Sequence, residues 1–252
     1  MSIAILGYGN IGKYIADEIA LLNPDIIDPL YPAMCPEKKD VYDVAFVCVP
    51  TEMKPDGSCD TSIVEQSINQ VQAQIYIIKS TVPPGTSSRL HSPDKHIVFS
   101  PEFYGTTLHS KRTLNFAILG GDVKDCAKVA ELYSCIKSAS FRCVFTSREA
   151  AELTKYMLNC FLATKVTFCN EFAQLAKSLG IEYAEVRELF CLDERVGSSH
   201  TYAYPKQPYY NNHCFNKDIP AFIAFCKSRG IEHTIINDVH KINKEMKEKY
   251  HA

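Results

Sequence analysis

The sequence predicts an α/β chain, with a doubly wound parallel sheet first and an all-helical region built on a long central helix after it. Three observations carry this. Short apolar runs alternate with amphipathic stretches as far as residue 146, and the runs are apolar on both faces, as strands of a covered parallel sheet must be. A glycine-rich turn, "AILGYGNIG", joins the first run to the first amphipathic stretch. From Arg148 a helical pattern then runs to Leu179 without Gly or Pro and stops at Gly180.

The runs read in order as strands over Ser2–Leu6, Asp25–Ile27, Asp43–Val49, Ile75–Lys79, His96–Phe99 and Asn115–Leu119. Helical periodicity occupies Ile11–Leu22, Thr61–Val71 and Lys124–Lys137 between them, which is the β-α-β rhythm of right-handed crossovers. After the long helix the pattern is helical again over Tyr183–Leu192, Ala221–Arg229 and Thr234–Tyr250. A polar-aromatic loop, "SSHTYAYPKQPYYNNH", is expected between Gly197 and Cys214, and loops of that length usually carry function or move. The domains are therefore expected at 1–146, a sheet domain, and 147–252, a helical domain.

Bulk composition narrows the functional classes. The 252 residues carry a formal charge of −2, which offers no field for nucleic acid or an anionic membrane. No apolar run has the length of a membrane span, and strand pattern from Ser2 onward leaves no room for a signal peptide. The eleven cysteines include no CxxC pair and sit mostly in apolar stretches, which fits reduced thiols in a cytoplasmic protein. No Cys/His spacing suits a metal, so none is expected.

The glycine turn has a specific chemistry. Gly7 permits the tight turn, Gly9 lets main chain approach a pyrophosphate, and Gly12 allows close helix–strand packing. Asn10 and Ile11 open the helix, whose N–H groups suit phosphate oxygens. This is the opening of a Rossmann-like domain, and NAD is the expected cofactor. Asp28, twenty-one residues past Gly7, could accept the adenosine ribose hydroxyls and repel a 2′-phosphate, or it could be a turn aspartate before Pro29.

Seven segments then stand in one order along nearly the whole chain: "GYGNIG", "VCVPTEMKPDGSCDTS", "KSTVPPGT", "SPEF", "ELTKYMLNCFLATKVTFCNEFAQLA", "DERVG" and "HCFNKD". Together they resemble the UDP-glucose/GDP-mannose dehydrogenase family, which oxidises the primary alcohol of a sugar nucleotide to a carboxylate in two steps, with two NAD⁺ and a cysteine. The resemblance implies that Val49, Pro50 and Thr51 border the cofactor, and that Thr81 lies near the nicotinamide and the catalytic water. Glu102 would help activate that water, with Phe103 beside the substrate. Lys155 and Asn159 would bind the reacting end of the sugar and stabilise oxyanions. Cys214 would be the nucleophile, Lys217 a substrate contact and Asp218 a support for proton transfer. The long helix 148–179 would make a homodimer.

The residues carry readings of their own. Lys155 and Asn159 are four apart and share a helix face, where a cation beside an amide donor suits an oxyanion. Without the resemblance, Lys155 reads as a solvated partner of Glu152. Glu102 follows a strand end, the side of an open sheet where ligands bind, and burial against a cofactor would make it a usable base. Asp218 precedes "IPAF" and could be an N-cap. Cys214 would then lie just before a helix N-terminus and near Lys155 or Lys217, conditions that favour a thiolate.

Three departures from the family are visible. The chain ends after "INDVHKINKEMKEKYHA", which resembles only the helix leading to the family's C-terminal nucleotide-gripping domain. "YYNNH" replaces a glycine-rich loop before the cysteine, with Asn211 and Asn212 as candidates for left-handed backbone. Thr106 stands where many members have a second carboxylate. The expected function is an NAD-dependent oxidation of a nucleotide sugar, UDP-glucose first among them. The alternatives are an NAD-binding regulatory relative with little turnover and a simpler β-hydroxyacid-type dehydrogenase.

Overall fold

A computed structural model describes residues 1–35, 41–103 and 115–251; Thr106 lies outside them. The described residues form two compact units. One is built from residues up to Lys155 apart from Met53–Ser58, and the other from Met53–Ser58 and from Tyr156 onward.

The first unit is a seven-stranded sheet of β1 (Ile3–Leu6), β2 (Asp25–Ile27), β3 (Tyr42–Val47), β4 (Ala73–Ile78), β5 (His96–Phe99), β6 (Phe116–Gly120) and β7 (Arg142–Thr146) in the order β2-β1-β3-β4-β5-β6-β7. All neighbours run parallel except β5 and β6. The helices of this unit are α1 (Asn10–Glu18), α2 (Ser62–Gln70), α3 (Thr86–Leu90), α4 (Val123–Ile136) and the start of α5 (Arg148–Ser178).

Strand residues alternate between two apolar layers, because side chains switch faces with a period of two. Ile3, Ile5, Phe46 and Ile77 pack with Ile15 of α1 and with Val129 and Leu132 of α4. Ala4, Leu6, Val47 and Ile78 pack instead with Val64 and Ile68 of α2 and with Ala151 of α5. Both faces are covered, which is the doubly wound arrangement that the double-sided apolar runs predict. Each fully buried Ile or Phe contributes about 1.5–3 kcal/mol.

The second unit holds the rest of α5, a 31-residue helix, together with α6 (Tyr183–Phe190), α7 (His213–Ser228) and α8 (Thr234–His251). Cys160, Ala163, Tyr210, Phe215, Ile219, Ile223 and Val239 form its core.

Three features differ from the sequence reading. α7 begins at His213, eight residues before the expected Ala221, and runs through Pro220. Asn212 is its cap, accepting from the Phe215 N–H at 2.7 Å. Pro220 lacks only one helix N–H, so the helix survives it. β7 escapes detection because it is a mostly exposed edge strand without a two-sided apolar run. α3 has five residues, too few for a periodic signal.

The loop ahead of α7 is pinned. Arg187 stacks its guanidinium 3.6 Å from the Tyr202 ring centroid and donates from Nε to Thr201 Oγ1 at 2.9 Å. Tyr183 Oη donates to the Thr201 carbonyl at 2.9 Å, and Lys165 Nζ to the Val196 carbonyl at 3.0 Å.

Candidate functional site

In the first unit the candidate residues follow the C-terminal ends of five neighbouring parallel strands. Gly7 follows β1, Asp28 follows β2, Val49, Pro50 and Thr51 follow β3, Thr81 follows β4, and Glu102 and Phe103 follow β5. Ligands of open α/β sheets bind at these ends, beside the point where strand order reverses; here that point lies at β1 and β3.

The glycine turn is shaped by close main-chain packing. Gly7 sits at φ 91°, and a Cβ there would lie 2.9 Å from the Cys48 carbonyl oxygen. A Cβ on Gly12 would stand 2.0 Å from the Gly7 oxygen, so only glycine lets the helix approach the turn. Gly9 is the N-cap of α1, with open space where its Cβ would be. No side chain caps that helix end and no acidic residue occupies its first turn. Asn10 and Ile11 thus present main-chain donors and a positive helix end that fit a pyrophosphate.

Asp28 is already engaged. Its Oδ2 accepts from Tyr8 N at 2.6 Å, in the glycine turn, and its Oδ1 from Leu30 N at 2.8 Å. The carboxylate is a turn aspartate that also braces the glycine turn. Thr51 is buried and donates from Oγ1 to the Thr81 carbonyl at 2.9 Å, tying the loop after β3 to the loop after β4. Ser80 Oγ reinforces this by donating to the Val49 carbonyl at 2.6 Å.

Lys155 is not the solvated partner of Glu152. Its Nζ donates to the Glu102 carbonyl at 2.6 Å and lies 5.4 Å from the Phe103 ring centroid. Glu152 is fully buried and accepts from Gly85 N and Ser87 N at 2.6 and 2.7 Å, binding the start of α3. Burial pushes the Glu152 carboxyl above the ordinary carboxylate range, against the lowering pull of those hydrogen bonds. The folded chain therefore holds this proton more tightly than the unfolded chain. This group's contribution to stability accordingly declines as pH rises from the ordinary carboxylate range through the raised value. Glu152→Gln is expected to cost about 1–3 kcal/mol, since one N–H loses its acceptor, and to flatten that part of the stability–pH curve. Chemical denaturation at a series of pH values measures both.

A lysine that sequence reading left aside lies behind Glu102. Lys79 is buried at the end of β4, with Nζ 3.5 Å from Glu102 Oε2, 3.2 Å from Ser100 Oγ and 5.6 Å from the Tyr133 ring centroid. Burial would push its ammonium down, but Tyr133 and Glu102 outweigh it and hold the group above the ordinary lysine range. Its signal in the sequence was a lysine closing the apolar run "IYIIK". Lys79→Met is expected to destabilise by about 1–3 kcal/mol, because it takes a buried ammonium away from Glu102 Oε2 and Ser100 Oγ. Urea titration of the two proteins checks this.

In the second unit Asn159, Lys217 and Asp218 form one network, with Asn159 and Asp218 buried and Lys217 partly so. Asn159 Nδ2 donates to Asp218 Oδ2 at 2.6 Å, and Lys217 Nζ pairs with Asp218 Oδ1 at 2.6 Å. Asp218 is not an N-cap; it lies in the second turn of α7, 1% exposed. Its carboxylate is bound on both oxygens, which fixes the amide of Asn159 and the ammonium of Lys217. Cys214 is the second residue of α7 rather than a residue before it, and its side chain is exposed. The free thiols of Cys48 and Cys160 offer a contrast, since burial pushes each up to about 12 and keeps it protonated. Asn211 and Asn212 do not take left-handed backbone; among the described non-glycine residues only Asn23 and His200 do. Neither asparagine replaces glycine geometrically, and Asn212 serves as a cap instead.

No described helix is long and apolar enough to cross a membrane. Among the described residues no cluster of three His, Cys, Asp or Glu could hold a metal.

Two family models match the sequence, both of the UDP-glucose/GDP-mannose dehydrogenase family: the NAD binding domain over residues 33–137 and the central domain over 149–245. The UDP-glucose 6-dehydrogenase of Pseudomonas aeruginosa is 30% identical over 226 residues, covering 82% of this chain and 49% of that protein. A UDP-glucose dehydrogenase structure from Pyrobaculum islandicum superposes with a TM-score of 0.81 at 26% identity, covering 97% of this chain and 68% of that one. A UDP-D-ManNAc dehydrogenase structure from Pyrococcus horikoshii shares the fold, with a TM-score of 0.77 at 24% identity over 98% of this chain and 69% of that one. The chain spans about half the length of the curated relatives it matches.

Proposed function

The chain belongs to the UDP-glucose/GDP-mannose dehydrogenase family, and from that premise we propose that it is an NAD-dependent nucleotide-sugar 6-dehydrogenase with UDP-glucose as first candidate substrate. The observation that carries the proposal is the placement of Cys214. It is an exposed thiol in the first turn of a 16-residue helix, one turn from the Lys217–Asp218–Asn159 network.

NAD⁺, when bound, accepts a hydride in each of the two oxidations. Gly7, Gly9, Asn10, Ile11 and Gly12 would hold its pyrophosphate, Asp28 would border the ribose, and Val49, Pro50, Thr51 and Thr81 would line the nicotinamide side. The first oxidation turns the sugar's primary alcohol into an aldehyde, and Asp218 supports removal of the hydroxyl proton. The Cys214 thiolate then adds to the aldehyde carbon, forming a C–S bond and placing negative charge on oxygen. Lys155 and Asn159 stabilise that oxyanion. The second oxidation converts the thiohemiacetal to a thioester. Water, deprotonated with help from Glu102 and Thr81, attacks the thioester carbon; the C–S bond breaks, the thiolate returns and the acid leaves. Lys217 and Phe103 contact the substrate.

Mixing the chain with NAD⁺ and a panel of sugar nucleotides tests this reading. Absorbance of NADH is expected with at least one UDP- or GDP-sugar, and prior iodoacetamide treatment is expected to abolish the acid product. Binding of NAD⁺ without reduction by any member of the panel would favour the regulatory alternative. Reduction at the same rate with and without alkylation, with one NADH per sugar and no acid in either case, would favour the cysteine-free β-hydroxyacid chemistry.

Two copies are also proposed to pair through α5. Met157, Phe161, Phe168, Phe172 and Leu175 recur at helical spacing along it and are exposed. The Phe168 and Phe172 rings touch, with centroids 4.8 Å apart. Phe172→Asp is expected to halve the mass measured by light scattering while leaving the circular dichroism of the chain unchanged.

A further inference from the structure

The glycine-free segment before Cys214 is held by one side chain of α8. Tyr210 is buried, and both its main-chain groups are satisfied by Asn243: the Tyr210 N–H donates to Oδ1 at 2.8 Å and its carbonyl accepts from Nδ2 at 3.2 Å. Asn243 is itself 5% exposed. A carboxamide is the one uncharged side-chain group that offers a donor and an acceptor in the plane of a peptide, so it pairs with Tyr210 as a neighbouring strand would. The same face of α8 continues the grip one turn to either side. His240 Nδ1 lies 3.3 Å from Tyr210 Oη, and Lys247 Nζ lies 3.4 Å from Asn211 Oδ1, which also accepts from Asn216 Nδ2 at 3.0 Å. From Tyr210 the hold passes to the start of α7. Its ring meets Phe215 edge-on at 5.7 Å, and the intervening Asn212 caps the Phe215 N–H. Cys214 is thus flanked by a residue whose ring packs on the clamped one and whose N–H is fixed by the segment the clamp holds.

We propose that Asn243 is a positioning residue for Cys214, doing by a side-chain clamp from α8 what a glycine-rich turn would do by backbone geometry. The proposal rests on the reading of Cys214 as the nucleophile. Its physical basis is the cost of leaving two buried main-chain groups unpaired, which pins the segment, and the sensitivity of a covalent step to displacements on the order of 1 Å.

The test uses the full chain carrying Asn243→Leu or Asn243→Asp. Asn243→Leu is expected to speed amide exchange at Tyr210 at least tenfold, with α5 amides unchanged. In turnover, a misplaced thiol fails to capture the aldehyde. NADH per sugar then falls from two toward one, free aldehyde is trapped by hydroxylamine as an oxime, and KM for NAD⁺ stays within twofold. Loss of folded protein alone would lower the rate and keep the ratio at two. Asn243→Asp retains the acceptor and loses the donor, so Tyr210 N–H protection persists while the ratio falls part of the way; it decides the matter if the leucine variant does not fold. Unchanged Tyr210 exchange in Asn243→Leu, or a ratio of two with kcat within twofold in either variant, overturns the proposal. Cys214→Ser making acid at the wild-type rate would instead sink the underlying reading of the nucleophile.

Discussion

Cys214→Ser is expected to lower acid formation by a factor on the order of 10³ or more, with NAD⁺ affinity unchanged. A serine hydroxyl at the same place in α7 keeps the helix and its Asn212 cap but is neither ionised near neutral pH nor a good leaving group. Both halves of the covalent path therefore fail: addition to the aldehyde and breakdown of the thioester. The first oxidation needs no thiol, so the variant is expected to release aldehyde slowly and to form at most one NADH per sugar. Cys35→Ser is the control, because Cys35 is also exposed but lies after β2, away from α7 in the sequence. A rate-matched loss in both variants would point to general damage, whereas full acid output from Cys214→Ser removes the thiol from the mechanism.

Gly12→Ala is expected to abolish NAD⁺ binding and to destabilise the chain by about 3 kcal/mol. The added Cβ would stand 2.0 Å from the Gly7 oxygen, a main-chain atom of a turn held by Gly7 N donating to the Ile27 carbonyl and Tyr8 N donating to Asp28. Neither α1 nor that turn can move alone, so the strain is shared by the turn proposed to meet the phosphates. Gly9→Ala separates the two effects. Nothing lies within 4 Å of its Cβ, so the free chain is expected to melt at the wild-type temperature. The methyl would nonetheless stand where a pyrophosphate approaches, weakening NAD⁺ by at least tenfold. Urea unfolding and titration calorimetry on the two variants resolve these outcomes. Wild-type NAD⁺ affinity in Gly12→Ala would contradict the role given to the turn.

The contrast between legible and hidden features follows from how each is encoded. Strands such as Ile3–Leu6 and Tyr42–Val47 are buried on both sides, so burial writes itself into every residue and the sheet can be read off. The glycine turn is equally visible, because Gly7 and Gly12 answer local steric demands that no other residue meets. What stayed hidden depends on residues distant in sequence. Glu152 looked like a surface partner of Lys155 because three residues separate them, yet it binds Gly85 and Ser87. Asp218 looked like a cap because it precedes a proline, whereas Asn159, from α5, makes it part of a buried network. Lys79 and Asn243 gave almost no signal, since a lysine after a strand and an asparagine on a charged helix are ordinary until Glu102 and Tyr210 are placed beside them.

The account stands on a four-electron oxidation through one cysteine, and counting NADH per sugar tests it most directly. With limiting sugar nucleotide and excess NAD⁺, the wild-type chain is expected to form two NADH for each sugar consumed, with the carboxylate as the product and no trappable aldehyde. One NADH per sugar, with aldehyde released, would contradict the covalent path through Cys214.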